Sequence, residues 1–283
     1  MRVGWLRNVT GRPVSSGTVT GAGESAGAGV AAGAEARFGE KATLVRGAQA
    51  WEVAVGAERV RATTIIVAAG LGGMAARLGI TGRPQRRRMI AQQWFQPAAP
   101  PLPAVGEVEM HWLRGGYVGL ATPAPGRCVV ALSAEAPRDG ESAWDHLHRL
   151  NPTATVWSLL SPDALRRYGA KGTAGFPWWP QQLGIANVLL VGDAAGYDEP
   201  FTGEGMGQAL SSGLCAAEAI LRGGDILQHY TKLMRSQHVP VRRRLRWISR
   251  ILRWGFLNSL ASKPVLLPPS LLAPIVRWVH VGA

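Results

Sequence analysis

Cysteine is almost missing from this chain, with two in 283 residues, Cys128 and Cys215. Each sits inside an apolar run, RCVVAL and GLCAAEAI, with no CxxC and no Cys/His neighbourhood. That excludes a disulfide framework and a zinc site, so no metal is expected. Two isolated thiols suit a reducing cytoplasm, which sets the expected location. Lysine is scarce too, at four residues against 27 arginines, and with only 18 acidic residues the net charge is +13. Such a balance suits nucleic acid or an anionic membrane surface. No RNA- or DNA-binding motif accompanies the arginine clusters at 86–88 and 242–253, so no nucleic-acid partner is expected. A general preference for arginine over lysine accounts for much of the excess. Long apolar runs are also lacking. Residues 1–20 have no apolar core of secretory-signal length, and the best candidate span, 254–279, is broken by Lys263, Arg277 and four prolines. No stretch reaches the roughly 18 residues that a membrane helix needs.

What is present is ample apolar material, 47% of the chain, enough for a packed core. Residues 1–33 are rich in Gly, Ala, Ser and Thr without apolar periodicity and read as a poorly ordered or remnant segment. Residues 41–45 and 51–55 alternate apolar and polar positions, as half-buried strands do, around a turn at 47–49. Residues 63–69, TTIIVAA, form a continuous β-branched run, the mark of a strand buried on both faces, and a short helix can follow at 74–78. Four short strands at 89–95, 108–113, 117–121 and 128–134 are expected to form an antiparallel meander. In the second, Val108, Met110 and Trp112 share one face and His111 the other, where it is given no role. Residues 142–150 and 162–168 read as helices, 188–191 as a second buried strand, and 203–221 as a helix.

The segment VLLVGDAAGYDEPFTGEGMGQALSSG at 188–213 carries the chemistry. An apolar strand ends in Gly192-Asp193, a loop carries Pro200, and a turn punctuated by Gly203, Gly205 and Gly207 opens a helix. Asp193, at the carboxyl end of a parallel strand, can offer a carboxylate to a ribose or ribityl hydroxyl. Small residues from Ala194 to Gly196 let a ligand approach the backbone. The glycines strip side chains from a helix N-terminus, exposing N–H groups and about half a positive charge, suited to a pyrophosphate or an electron-rich ring edge. Met206, Leu210, Leu214, Ala217 and Leu221 recur at helical spacing and are expected to pack this helix onto the sheet.

This segment resembles the second FAD-binding motif of the flavoprotein family that contains geranylgeranyl reductases and p-hydroxybenzoate-hydroxylase-like monooxygenases. RATTIIVAAGLGGMAARL at 61–78 and GGYVGLATPAPGRCVVAL at 115–132 are similar to further parts of that family, and the likeness spans roughly residues 35–230. The resemblance implies FAD as cofactor. It places Asp193 by the ribityl or pyrophosphate region, Pro200 by the isoalloxazine, and Gly205, Met206 and Gly207 facing the flavin N1–C2 edge, with Gly192, Ala194 and Gly203 as further cofactor-binding residues. It implies a mixed α/β fold. A partial Rossmann-like FAD layer (35–85 and 181–224) would carry an inserted antiparallel substrate-domain sheet (86–180) and a basic helical C-terminal region (225–283), after a leading segment at 1–34.

Two departures matter. The family opens with a strand–GxGxxG–helix unit for the ADP half of FAD. Here Gly21-Ala22-Gly23-Glu24-Ser25-Ala26 matches only as letters in a Gly/Ala-rich stretch, without the flanking strand and helix. Ala69-Gly70 also stands where monooxygenase-type members carry Asp-Gly, which weakens the case for NAD(P)H as electron donor. The expected function is an FAD-dependent oxidoreductase, reductase or monooxygenase, on an apolar small molecule, with no catalytic acid or base assigned. The alternatives are a non-catalytic, truncated remnant and a basic protein of membrane surfaces. For the last, residues 241–256 place Leu245, Ile248, Leu252 and Phe256 on one helical stripe and Arg243, Arg246, Arg250 and Arg253 on another, with Trp247 and Trp254 at its edge.

Overall fold

The computed structural model describes residues 31–71, 73–83, 89–98, 101–136, 141–169, 171–198 and 205–253. The chain divides into two compact units: 1–81, 180–195 and 209–231 form the first, and 82–179, 196–208 and 232–283 the second.

The first unit holds two three-stranded sheets. β1 (Ala42–Arg46), β2 (Trp51–Val55) and β3 (Glu58–Val60) form an antiparallel sheet with Val53 and Val55 turned inward. β4 (Ile65–Val67) pairs in parallel with β11 (Val188–Leu190), in the register Val188 to Ile65 and Leu190 to Val67. These are the two continuous apolar runs of the sequence, and β11 is buried at every position, as a central strand requires. A short antiparallel strand, β10 (Gly184–Ile185), covers β11's other edge and has no signal in the sequence. Asn187 ties the two sheets together. Its Oδ1 accepts from the Trp51 N–H at 3.0 Å, while its Nδ2 donates to the carbonyls of Trp51 and Ala62, both at 3.1 Å. A short helix, α1 (Met74–Arg77), follows β4.

The second unit is built on a five-stranded antiparallel sheet. Its strands are β5 (Met89–Pro97), β6 (Val108–Leu113), β7 (Gly116–Ala124), β8 (Arg127–Glu135) and β9 (Lys171–Phe176), in the order β6-β7-β8-β5-β9. The expected meander holds only for β6 to β8. β5 instead crosses to the far side of β8, where two neighbours enclose it and its Met89 and Trp94 are almost wholly buried. One face of this sheet packs under α2 (Ala143–Leu150), a 3₁₀ turn (Thr155–Leu159) and α3 (Pro162–Tyr168), with Val118, Leu120, Val130, Leu132 and Leu147 in the common core. Both helices start on a serine. Ser142 Oγ accepts from the Asp145 N–H and Ser161 Oγ from the Ala164 N–H, each at 3.1 Å. Gln96, buried on β5, donates to the Leu159 carbonyl at 2.8 Å and accepts from the Ser161 N–H at 3.0 Å, pinning that connection to the sheet. His111 lies half-buried with Nε2 2.8 Å from Glu109 Oε1, rather than free in solvent.

Two long helices complete the described chain, α4 (Gly205–Arg222) and α5 (Ile226–Arg253). Among the described residues no helix is long and apolar enough to cross a membrane. Cys128 and Cys215 are both buried free thiols whose pKa values burial raises. No cluster of His, Cys, Asp and Glu among the described residues could hold a metal ion.

Candidate functional site

Strand β11 runs directly into a 3₁₀ turn, Gly192–Ala195. Gly192 opens it with φ of 60°, a left-handed conformation that costs other residues about 1–2 kcal/mol. Its N–H donates to Ser212 Oγ at 2.7 Å, and that hydroxyl donates to the Ala209 carbonyl at 2.8 Å. Ser212 is buried, so this pair fixes the turn against the body of α4 within the first unit. A β-carbon on Gly192 would lie 3.4 Å from Ala209 Cβ, an ordinary contact, so the glycine serves the backbone angle.

Ala194 and Ala195 point inward and are buried, while Asp193 between Gly192 and Ala194 is only half-buried. Burial raises the Asp193 pKa, with no cation among the described residues to oppose it. The half-exposed carboxylate can accept hydrogen bonds from water or from a hydroxyl-bearing ligand.

The first turn of α4 contains Gly205, Met206 and Gly207, all exposed. A β-carbon at either glycine would meet no atom of the described residues within 4 Å. Glycine in a helix interior costs about 0.5–1 kcal/mol relative to alanine, and nothing among the described residues requires it at these two positions. Pro200 and Gly203 lie outside the described residues.

The helix does not pack as its large residues suggest. Its buried side is Ser212, Cys215, Ala216 and Ala219, whereas Met206, Leu210, Leu214 and Leu221 are 81%, 70%, 72% and 85% exposed. Ala217 is exposed with them. Both sets satisfy helical periodicity. The small set is the one that lets α4 approach closely enough for the Ser212–Gly192 bond, and that proximity decides the face.

In the second unit, the sheet face opposite the helices carries a row of small residues between aromatic ones. Tyr117, Ser133 and Ala91 stand directly opposite one another across β7, β8 and β5, and the next row is Met110, Gly119, Ala131 and Gln93. Trp112 flanks Tyr117 with ring centroids 5.2 Å apart. The Ser133 hydroxyl is buried on this face with no hydrogen-bond partner among the described residues. Sequence periodicity placed Met110 and Trp112 together but gave no reason to single out Ser133.

A second cluster in the same unit also escaped notice. Trp178 and Tyr197 exchange backbone hydrogen bonds at 2.7 and 2.8 Å. The Arg242 guanidinium lies 4.6 Å from the Trp179 ring centroid and donates to the Gly196 carbonyl at 3.2 Å. Burial, and then Arg242, lowers the pKa of the buried His238 to about 4, so its imidazole is neutral at pH 7. Arginine and tryptophan are far apart in sequence here, so only the fold brings them together.

No protein-family model matches the chain, and no curated protein matches it in sequence. Solved structures do match its fold. Flavin-dependent brominase Bmp2 superposes with a TM-score of 0.62 at 14% identity, over 88% of this chain and 66% of that one. Tetracycline destructase Tet(51) gives 0.59 at 14% identity, over 88% and 69%. Halogenase PltM in complex with phloroglucinol and FAD gives 0.58 at 17% identity, over 76% and 50%. The chain thus spans about half to two thirds of the structures it matches. At these identities the likeness is one of fold, a mixed α/β fold similar to those of the flavin-dependent brominase and the tetracycline destructase.

Proposed function

We propose that this protein is an FAD-binding oxidoreductase of the monooxygenase type that acts on an apolar, aromatic-sized molecule. The observation that carries the reading is the bare helix start. Gly205 and Gly207 leave the first turn of α4 open, with no described atom beside it, in the segment that follows a Gly192-Asp193 turn in sequence. The residues fit the cofactor. Asp193 would accept from ribityl hydroxyls, Gly192 and Ala194 would let the chain come close, and the N–H groups of Gly205, Met206 and Gly207 would face the flavin N1–C2 edge.

When bound, FAD supplies the redox chemistry, and the protein positions it and sets its electronics. The chain's own share is positioning and exclusion of water. A helix N-terminus at the edge that gains negative charge favours the reduced ring. The sheet face bearing Gly119, Ala131 and Ala91 sets small residues beside Trp112 and Tyr117, and the buried Ser133 hydroxyl would offer a polar anchor there. That lining suits a planar apolar substrate. The halogenase bound to phloroglucinol and FAD supports a small aromatic substrate, and the brominase and destructase favour monooxygenase over reductase chemistry. NAD(P)H as donor rests on no residue identified in the chain.

A second reading, a chain that is not catalytic by itself, is favoured by the exposed Leu210, Leu214 and Leu221 of α4. Purification followed by visible spectroscopy separates the two. Flavin absorbance that survives gel filtration, with substrate-dependent oxygen uptake, supports the enzyme; flavin binding without turnover on any aromatic tested supports the second reading.

A further inference from the structure

Helix α5 spans 28 residues and contains seven arginines and one lysine but no acidic residue. Its buried side is formed by Tyr230, Met234, His238, Arg242 and Leu245. Leu245, expected on an apolar stripe open to lipid, is 3% exposed and belongs to the packed side, so this helix does not offer a wholly apolar face for insertion. The side chains of Ile248 and Leu252 and all of Trp254 and Phe256 lie outside what is described.

The flank beyond Arg242 is different. Lys232, Arg235, Arg243 and Arg246 are all exposed and all belong to the second unit. At about 100° per residue they fall within an arc of roughly 80°. Trp247, 64% exposed, stands at the edge of that arc. At about 1.5 Å per residue the row from Lys232 to Trp247 runs for roughly 22 Å. Ion pairs elsewhere in the described chain join Arg37 to Glu40, Arg149 to Glu141, Arg166 to Asp163 and Arg222 to Glu218, and none reaches Lys232, Arg235 or Arg243. A row of like charges of this length repels itself and is relieved by an external anionic surface.

We propose that the outer face of α5 docks the protein on an anionic lipid bilayer, electrostatically, with Trp247 at headgroup depth. The exposed indole at the edge of the basic row selects a bilayer over nucleic acid. Indole rings settle at the headgroup level of membranes, which gives Trp247 a place. The inference is independent of flavin binding and is compatible with an apolar substrate drawn from the bilayer.

The test uses the full chain and sedimentation with vesicles of phosphatidylcholine alone or mixed with phosphatidylglycerol. Binding is expected to the mixed vesicles only, and to fall steeply as salt rises from about 0.1 to 0.5 M, where the screening length shrinks well below its roughly 10 Å value at 0.1 M. Each basic residue close to such a surface contributes about fivefold to partitioning. The triple variant Lys232→Gln/Arg235→Gln/Arg243→Gln should therefore bind about a hundredfold less. Arg77→Gln/Arg114→Gln/Lys171→Gln, with the same net charge, should bind nearly as the parent does. Lys232→Arg/Arg235→Lys/Arg243→Lys should retain binding, and circular dichroism should show both triple variants of the helix folded. The proposal is overturned by equal binding to neutral vesicles, by no binding, by equal losses in the two neutralised triples, or by binding that double-stranded DNA abolishes at charge ratios where vesicles of equal charge do not compete.

Discussion

Replacing Gly205 and Gly207 together by alanine separates a ligand's requirement from the protein's own. In the free chain both β-carbons enter open space, so no clash is introduced. Alanine restricts the unfolded chain and favours helix, and a compatible Gly→Ala exchange stabilises by about 0.4–1 kcal/mol. The two sites are near neighbours but make no contact through their β-carbons, so the pair should add about 0.8–2 kcal/mol to unfolding free energy. For a chain of this size that is a rise in Tm of very roughly 2–8 °C. If a flavin edge lies against this turn, the same two methyl groups intrude on it and cost about 1–3 kcal/mol of binding, the usual penalty of overpacking. FAD affinity should then fall by roughly tenfold to a hundredfold. Urea denaturation without cofactor and calorimetric titration with FAD measure the two quantities. The reasoning is refuted if stability drops, since the chain itself would then need the glycines. It is refuted equally if stability rises while FAD affinity stays unchanged.

Other perturbations test the turn and the helix that hold the site. Ser212→Ala leaves the Gly192 N–H unsatisfied beside a buried surface and should destabilise by about 1–3 kcal/mol in urea unfolding. Asp193 has its pKa raised by burial, so ionising it opposes folding. Its burden is absent below the ordinary carboxylate pKa and grows as pH rises through the higher folded value. Asp193→Asn should therefore unfold at higher urea than the parent at pH 7 and at about the same urea at pH 3. On α4, Leu214→Ala should change stability by less than about 0.5 kcal/mol. Ala216→Leu, on the buried side, should cost about 1–3 kcal/mol.

The parts of this fold legible in the sequence are those in which one residue pattern has one physical solution. TTIIVAA and VLLV read as buried strands because continuous apolar runs have no polar face; the two pair in parallel and β11 is buried throughout, but β4 is an edge strand with Ile66 exposed, so only one of its faces is buried. Residues 142–150 and 162–168 read as helices, and Ser142 and Ser161 cap them by satisfying an orphan N–H. Where a pattern had two solutions, the tertiary context chose. Helix α4 carries a large apolar stripe and a small one at the same period, and the contact of Gly192 with Ala209 and Ser212 selects the small one. Strand β9 was missed because Lys171-Gly172-Thr173-Ala174-Gly175 has weak strand propensity and owes its conformation to pairing with β5. At the candidate site, Gly192, Asp193, Gly205 and Gly207 were readable because glycine and a strand-end carboxylate are local signals. Ser133, Ser212, Trp179 and Arg242 were not, because each acquires its meaning from a partner distant in sequence.

The central claim is that the turn after β11 holds a flavin, and calorimetric titration of the full chain with FAD tests it most directly when the parent and Asp193→Asn are measured side by side. Saturable binding is expected for the parent. The variant, which keeps the shape but loses the charged acceptor, should bind roughly tenfold to 150-fold more weakly, corresponding to a hydrogen bond of about 1.5–3 kcal/mol to a charged group. No saturable heat from the parent, or equal affinity of parent and variant, would contradict the account.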